Sequence, residues 1–307
     1  MMVIEFDQVE KGFGSHKALR GVSFTVPAGT MFGLIGPNGS GKTTALRLML
    51  GLLEPSAGQL RVFGDTPSER LADRIGYLPE ERGLYPRMSV RDAILYYARL
   101  KGAEPSSRAL DTWLDRFEIR KLQSTLVGAL SKGNAQKVQF IAAVLHEPEL
   151  LILDEPSSGL DPSSQEQMRR VISRYAAEGR SVILSTHDLG WAERMCQSVV
   201  MLHQGRKVLD QQARGASARD RASIKVSVAG VLPALSELPG VTGIVESDGY
   251  HRLMLGPDAD PQRILAVLMQ RTVLSHFELA QPSLHETFMQ LATLRHGSVP
   301  PPGIGHA

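Results

Sequence analysis

The sequence has a single cysteine and no long apolar run, and each shortage excludes a class of protein. Cys196 is the only cysteine among 307 residues, so no disulfide can form within the chain, which favours a reducing compartment. The longest apolar runs, at residues 140–145 and 150–153, are far shorter than the ~20 residues of a membrane-spanning helix. The first residues, MMVIEFDQVE, lack the apolar segment of a secretory signal. We therefore expect any link to a membrane to go through a partner.

A strong net charge is also missing. The 34 Lys and Arg residues nearly balance the 32 Asp and Glu residues, for a formal charge of +2, so the composition does not indicate a nucleic-acid-binding surface. A hydrophobic content of 42% and a charged content of 21% are ordinary for a soluble globular protein. A chain of this length can form two domains with a large buried core.

The first 210 residues alternate between short apolar strands and helical segments, which predicts an α/β fold with a parallel core sheet. Between about residues 88 and 147 the pattern is mainly helical, and Ser89, with Asp92 three residues later, indicates a helix start. Residues 199–202 and 206–209 suit a terminal hairpin. The other strands are predicted at 3–9, 22–26, 31–35, 59–63, 74–78, 150–153 and 182–184, and the other helices at 43–50, 109–117, 135–145 and 163–177.

The last third of the chain has a pattern of its own. Residues 211–221 are small and polar and predict a linker. Residues 222–296 then predict the order β-α-β-β-α-β, a small α+β domain of the split βαβ type, with helices at 231–238 and 260–270, a hairpin at Asp248-Gly249 and a last helix at about 283–294. The tail, residues 297–307, is expected to be disordered.

A glycine-rich segment, GPNGSGKTT, matches the phosphate-binding loop G-x-x-x-x-G-K-[ST]. It follows a predicted strand and opens a predicted helix, so backbone N–H groups and the helix N-terminus can face phosphate oxygens. Lys42 can reach the β- and γ-phosphates, and Thr43 can bind Mg²⁺. The alternative, a glycine-rich turn that binds nothing, fits the flanking strand and helix poorly. The residues expected to contact the nucleotide are Gly36, Pro37, Asn38, Gly39, Ser40, Gly41, Lys42, Thr43 and Thr44.

A second set of chemical groups follows the buried strand LLILDE. This strand can deliver Asp154 to the coordination sphere of a metal, and Glu155 can orient and deprotonate an attacking water. Two adjacent carboxylates can also form a solvated turn, but the phosphate-binding loop upstream favours the catalytic reading. His187 follows another buried strand, where a lone histidine is more often structural.

These motifs together resemble the nucleotide-binding subunit of ABC transporters, over about residues 2–210. The matching segments are GPNGSGKTT at 36–44, LSKGN at 130–134, LLILDEP at 150–156, SGLD at 158–161 and STHD at 185–188. The resemblance implies an α/β fold of P-loop NTPase type, in which a RecA-like parallel sheet is accompanied by an antiparallel β subdomain and a helical subdomain. It also implies that the protein hydrolyses ATP with Mg²⁺.

The same resemblance assigns roles that the residues alone do not give. It implies that Phe13 stacks on adenine and that His187 senses the γ-phosphate. It further implies that Ser131 and Gly133 of one subunit cap the ATP held by another subunit, with Asp161 at the dimer interface. Each chain has one phosphate-binding loop and one LSKGN segment, so two complete sites need two subunits, most simply a homodimer.

The sequence departs from the family pattern at two positions. The segment usually written LSGGQ is LSKGN here, so Lys132 either adds positive charge near the nucleotide or faces solvent. Glu80 stands where the family usually has glutamine. A glutamate oxygen can still bind Mg²⁺, but it adds negative charge beside a triphosphate, so we expect nucleotide binding to depend strongly on Mg²⁺.

The function indicated is an ATPase subunit on the cytoplasmic face of a membrane that drives export through a separate permease. Residues 80–91 lie where the family meets its membrane partner, although a packed loop is an equal alternative for them. The competing interpretation is a soluble ABC-type ATPase acting on nucleic acid or the ribosome, but the chain has no coiled-coil or zinc insertion and no basic stripe.

Residues 222–296 permit two interpretations. They can support the dimer or contact the permease, or they can form a ligand-sensing module that regulates the ATPase. The first is favoured, because His251, His276 and His285 are scattered and no ligand-binding constellation is visible. The transported substrate is not written in this chain, since the permease would line its path.

Overall fold

The computed structural model describes residues 1–81, 83–212, 223–247, 249–256, 258–280 and 284. The chain forms two compact units, Met1–Arg214 and Gly215–Ala307. The elements of the first unit are, in chain order, β1 (Met2–Phe13), β2 (His16–Pro27), β3 (Met31–Ile35), α1 (Lys42–Met49), β4 (Ala57–Val62), β5 (Ile75–Leu78), α2 (Val90–Leu100), α3 (Ser107–Arg116), α4 (Lys132–Val144), β6 (Leu150–Asp154), α5 (Pro162–Ala177), β7 (Ser181–Thr186), α6 (Leu189–Met195), β8 (Ser198–His203) and β9 (Arg206–Gln212).

A six-stranded sheet forms the centre of this unit, in the order β5-β6-β7-β3-β8-β9. All neighbours are parallel except β8 and β9. Every residue of β3, β6 and β7 is buried, as expected for central strands with both faces covered. The register pairs Asp154 with Ser185 and Ile35 with Thr186. The carboxyl ends of β3, β6 and β7 therefore meet at one edge.

A three-stranded antiparallel sheet, β2-β1-β4, packs against the central sheet. The rings of Phe6 and Phe24 stack with centroids 4.5 Å apart, and Phe24 stacks in turn on Phe32 of β3 at 5.5 Å. Strands β1 and β2 run four or more residues beyond the ends predicted from sequence. The left-handed backbone at Gln8, φ 48°, interrupts the ladder between Phe6 and Val9, which breaks the alternation that marks a strand.

Helices α2, α3 and α4 occupy the region of the chain predicted to be helical. The Ser89 side chain accepts a hydrogen bond from the Asp92 backbone N–H at 3.1 Å, so the predicted cap of α2 is confirmed. Phe140 of α4 contacts Phe117 with ring centroids 5.5 Å apart and Trp113 at 6.0 Å. These aromatic contacts join α3 to α4.

The second unit contains a four-stranded antiparallel sheet in the order β11-β12-β10-β13. Its elements are β10 (Ser223–Ala229), β11 (Val241–Ser247), β12 (Tyr250–Leu255), α7 (Pro261–Arg271) and β13 (Val273–Ala280). Strands β10 and β12 are adjacent at the centre of the sheet, and β11 and β13 form its two edges. This is the strand order of a split βαβ arrangement. The core consists of Ile224, Val226, Leu238, Leu253, Ile264 and Leu268.

One predicted helix of this unit is wrong. Residues 231–238 contain only a single 3₁₀ turn, Leu235–Glu237. Pro233 and Pro239 bracket this turn, and the residue before a proline is disfavoured in helical conformation, so only one turn fits between them. The predicted tail, the predicted last helix apart from Leu284, most of the linker, and Asp248 of the hairpin lie outside the described residues.

The helices of the described residues are short. None of them combines the length and the hydropathy that crossing a bilayer needs.

Candidate functional site

The glycine-rich loop connects β3 to α1. Gly36 has φ 146° and Gly41 has φ 108°, and a Cβ at Gly41 would lie 2.7 Å from the Ala18 carbonyl oxygen. A side chain at either position is thus excluded by the backbone conformation. Lys42 is 6% exposed, and its Nζ donates to the carbonyl oxygens of Gly36, at 2.7 Å, and Pro37, at 3.3 Å. The loop therefore curls around its own lysine.

Ser40 lies at the bend of this loop. Its carbonyl oxygen accepts a hydrogen bond from the Gly205 backbone N–H at 3.0 Å, which ties the loop to the β8–β9 hairpin. Its hydroxyl is buried and has no hydrogen-bond partner among the described residues. A buried hydroxyl without a partner is uncommon, and a phosphate oxygen bound by the loop would supply one. The loop thus fits a phosphate ligand.

Asp154 ends β6, directly beside the start of α1. Its carboxylate accepts hydrogen bonds from the Ser185 hydroxyl at 2.9 Å and the Thr43 hydroxyl at 3.4 Å. Asp154 is 2% exposed, and this burial raises the pKa of its carboxyl group, while the Ser185 hydrogen bond opposes the rise. A buried carboxylate beside a threonine hydroxyl is the kind of oxygen donor set that Mg²⁺ takes together with phosphate oxygens.

Glu155 is held by more contacts than any other carboxylate of the site. Its backbone has φ 48°, and its N–H donates to the Ser185 carbonyl oxygen at 2.9 Å. Its carboxylate accepts from the Thr186 hydroxyl at 3.1 Å and from the His187 backbone N–H at 2.9 Å. The Nδ1 of His187 lies 2.8 Å from the same Oε1 atom, and the Lys42 Nζ lies 3.8 Å from it. The end of β7 thus fixes this carboxylate beside the loop lysine.

These groups share one cavity of about 350 Å³. Its lining includes most of the loop residues predicted from sequence, together with Phe13, which is 47% exposed. The Lys11 ammonium lies 5.3 Å from the centroid of the Phe13 ring. The full lining consists of Phe13, His16, Ala18, Asn38, Gly39, Gly41, Lys42, Thr43, Thr44, Glu80, Asp154 and Glu155. The aromatic ring, the loop and the carboxylates therefore surround one volume.

Six predicted nucleotide-contacting residues do not line this cavity: Gly36, Pro37 and Ser40 of the loop, and Ser131, Gly133 and Asp161 farther along the chain. Ser131 caps α4 by accepting from the Asn134 N–H at 3.3 Å. Asp161 caps α5 by accepting from the Ser164 N–H at 3.0 Å, and hydrogen bonds from Ser164 lower the pKa of its carboxyl group. Gly133 faces Ser164 and Leu160. Within one chain, then, the LSKGN segment lies beside the SGLD segment, and neither segment lines the cavity.

Sequence reasoning missed four residues of the site. Ser185 and Thr186 orient the two carboxylates, and His16 and Ala18 line the cavity. The polar pair at the end of the apolar strand SVILST was a signal for the first two. Nothing in the pattern of β2 marks the other two, because they reach the cavity only through the packing of the two sheets.

The metal-binding groups of the site are few. In the parts of the chain that the structure describes, no group of three or more His, Cys, Asp and Glu side chains is arranged to hold a metal ion by itself. Magnesium usually takes only one or two carboxylates from the protein and completes its shell with water and phosphate. The Thr43 and Asp154 pair, with Glu80 in the same cavity, fits that use.

Two family models match parts of this chain. Residues 19–158 match the family described as ABC transporter, and residues 214–292 match the family described as ATP-binding protein DrrA1-3-like, C-terminal domain. The chain is 39% identical over 291 residues to the uncharacterized ABC transporter ATP-binding protein YhaQ of Bacillus subtilis (strain 168), covering 94% of this chain and 98% of that one. It is 31% identical over 296 residues to the Nod factor export ATP-binding protein I of Burkholderia lata, covering 94% and 96%.

A solved structure described as an ATP-binding subunit of an ABC transporter superposes on this chain with a TM-score of 0.64 at 33% identity, covering 70% of this chain and 95% of that one. The α/β fold and its phosphate-binding loop define the class as P-loop nucleotide-binding proteins. Within that class the chain belongs to the ATP-binding proteins of ABC transporters, which are the ATPase subunits that power transport.

Proposed function

We propose that this chain hydrolyses ATP to drive export through a separate membrane permease. One observation carries the catalytic part: Lys42 and Glu155 lie 3.8 Å apart at the edge of the cavity, and Asp154 and Thr43 lie beside them. A cation for the phosphates, a metal ligand and a general base are the groups that phosphoryl transfer to water requires.

In the proposed mechanism each residue has one task. Lys42 and the loop N–H groups hold the β- and γ-phosphates, and Phe13 stacks on the adenine. When bound, Mg²⁺ would neutralise phosphate charge, and Thr43, Asp154 and Glu80 would hold it. Glu155 orients the water and accepts its proton, while His187, hydrogen-bonded to the same carboxylate, contacts the γ-phosphate.

A second copy of the subunit is part of the proposal. Ser131, Gly133 and Asp161 lie on helix starts that are absent from the lining of the chain's own cavity. We assign these three residues to the ATP of the partner subunit. ATP binding would then close the dimer, and hydrolysis would reopen it.

The membrane partner is proposed to meet residues 80–91. In this segment Tyr85 is 53% exposed, and its ring contacts those of Tyr96, at 5.6 Å, and Tyr97, at 6.2 Å. An exposed aromatic cluster of this kind is common in protein–protein interfaces. The export direction is supported by the relative named as a Nod factor export protein. The subunit would then be peripheral, on the cytoplasmic face.

The C-terminal unit, proposed as an accessory domain over residues 222–296, would support the dimer or contact the permease. If truncation at about residue 215 leaves dimerisation and turnover unchanged, dimer support is excluded.

Two experiments test the proposal. The first isolates the protein from membranes and identifies the chain that copurifies. A multi-helix membrane protein supports the transport function, whereas ribosomes or DNA-repair proteins support a soluble ATPase that acts on nucleic acid or the ribosome. The second mixes a Lys42→Ala subunit with a Ser131→Ala subunit. If each site combines the loop of one subunit with Ser131 of the other, a mixed dimer has both substitutions in one site. Its second site has neither substitution, so ATPase activity should return on mixing. No recovery would argue against shared sites.

A further inference from the structure

Glu80 stands on a short loop, and Gln139 of α4 holds that loop. The loop follows β5, whose last residue, Leu78, pairs with Leu153 just before Asp154. The side-chain Nε2 of Gln139 donates to the Pro79 carbonyl oxygen at 3.4 Å and to the Glu81 carbonyl oxygen at 3.1 Å. The two acceptors are the residues immediately before and after Glu80. An amide nitrogen has two protons, so it can serve both carbonyls at once.

Burial makes this contact costly to lose. Gln139 is 5% exposed, and removing a buried donor leaves its acceptors without a partner. One turn later, the backbone of α4 packs closely against β5. The space between them is so small that a Cβ at Gly76 would clash with the Ala143 carbonyl oxygen. Helix α4 therefore contacts both the strand and the loop that leads from it.

We infer that Gln139 is a positioning residue for Mg²⁺-dependent nucleotide binding: it fixes the backbone on both sides of Glu80 and so sets where the Glu80 carboxylate lies in the cavity. This inference rests on the proposed function. Groups that orient a metal ligand without touching the metal often change its affinity by about tenfold or more.

Helix α4 also connects two sites. Ser131 caps the start of helix α4, about 12 Å from Gln139 along a helix with a rise of about 1.5 Å per residue. The same helix thus carries the residue proposed to contact the partner's ATP and the residue that holds the Glu80 loop. A shift of one end displaces the other, because a packed helix moves as a unit.

The test is a Gln139→Met variant, which keeps the side-chain length and removes both donors. ATP binding is measured by titration calorimetry at a series of Mg²⁺ concentrations and in EDTA. We expect the Mg²⁺ concentration for half-maximal tightening to rise about tenfold, while binding in EDTA does not weaken. Hydrogen exchange of the nucleotide-free protein should speed up in the peptide that contains Glu80.

Gln165 provides a matched control. Its Nε2 also donates to two loop carbonyl oxygens, those of Ser157, at 3.4 Å, and Leu160, at 3.2 Å, but it lies on α5 and does not hold the Glu80 loop. Gln165→Met also loses two hydrogen bonds from a side-chain amide to loop carbonyl oxygens. The Mg²⁺ requirement of this variant should equal that of the wild type. If both variants shift the requirement equally, the inference is overturned.

A double-mutant cycle isolates the link. In a Glu80→Ala background, Gln139→Met should change the Mg²⁺ requirement less than twofold, since no carboxylate remains to be positioned. An undiminished effect there would overturn the inference. Gln139→Glu, which keeps the shape and replaces the donors with acceptors, serves if Gln139→Met does not fold. Wild-type protein that binds no nucleotide would instead contradict the proposed function itself.

Discussion

The Lys42 ammonium lies 3.8 Å from the Glu155 carboxylate, and both side chains are at least 93% buried, with 7% and 6% exposed. Burial lowers the pKa of Lys42, and the charge of Glu155 opposes that shift. The carboxylate therefore stabilises the charge of the lysine that would hold the phosphates. We propose that it also orients the water that attacks the γ-phosphate.

Glu155→Gln keeps this shape but removes the base. We expect ATP to bind with nearly unchanged affinity, and turnover to fall by about 10²–10⁴, the usual contribution of a general base. ATP should then accumulate a stable dimer, visible by size-exclusion chromatography with light scattering. Turnover at the normal rate would show that Glu155 is not the base, and Lys42→Ala, which should lose binding itself, separates the two roles.

Glu80 adds negative charge beside the expected position of the triphosphate. We expect ATP to bind much more weakly in EDTA than with Mg²⁺, because the cation offsets the repulsion between carboxylate and phosphate. Glu80→Gln should narrow this difference by strengthening binding in EDTA. Calorimetric titration of both proteins measures it. Equal ATP affinity with and without Mg²⁺ in the wild type would refute the idea.

Asp154 should lower the stability of the nucleotide-free protein at neutral pH. Burial raises the pKa of its carboxyl group, so the folded state binds the proton more tightly than the unfolded state. Its favourable contribution is present below the unfolded-state pKa and is lost as pH rises through the folded-state pKa. Asp154→Asn should therefore raise the thermal midpoint at pH 7 by roughly 2–4 °C, the shift given by about 1 kcal/mol in a domain of this size.

Asp161 is the control, because the pKa of its carboxyl group is shifted in the opposite direction. Hydrogen bonds from Ser164 lower the pKa of its carboxyl group, so its contribution is present above the unfolded-state pKa and is lost as pH falls through the folded-state pKa. Asp161→Asn should lower the midpoint at pH 7. Calorimetric scans from pH 7 to pH 4 compare the two, and the gain from Asp154→Asn should shrink as the pH falls. A lower midpoint for Asp154→Asn at pH 7 would contradict this account.

The side chain of Lys132 lies across Gly159. A Cβ at Gly159 would clash with the Nζ and Cε atoms of Lys132, and Gly159 has φ 66°. We expect Gly159→Ala to cost about 1–2 kcal/mol from the left-handed backbone alone, plus a smaller cost for displacing the lysine. Urea denaturation measures the free energy of unfolding.

The cost of displacing Lys132 can be measured separately from the cost of the left-handed backbone. Adding Lys132→Ala to Gly159→Ala should recover only the free energy of unfolding that is lost to the clash with the lysine. Gly64→Ala, at φ 86° with no atom within 4 Å of its Cβ, gives the backbone part alone. If Gly64→Ala and Gly159→Ala cost the same, the contact with Lys132 has no energetic effect. Lys132 itself is exposed, so its contact with Gly159 does not bury the charge, and a role near the partner's nucleotide remains a prediction.

Much of the fold was readable because its signals are local. The apolar runs of β3, β6 and β7 predicted buried strands, and Ser89 predicted a helix start, since capping depends on a contact three residues away. The wrong helix at 231–238 has a local cause as well: Pro239 follows it and restricts Leu238. The extension of β1 and β2 was missed because register shifts between Val9 and Gly12 and the left-handed backbone at Gly21 interrupt the alternation there.

The sequence by itself determined the chemistry: a phosphate loop with Lys42 and Thr43, and two carboxylates after a buried strand. Only the tertiary structure decided which groups act together. The order of strands places β7 beside β6, so Thr186 and His187 contact Glu155 across 31 and 32 residues of chain. Helix packing places the Gln139 amide against the carbonyl oxygens on both sides of Glu80. Such contacts depend on strand order and helix packing, which join residues far apart in the chain and leave no local pattern to read.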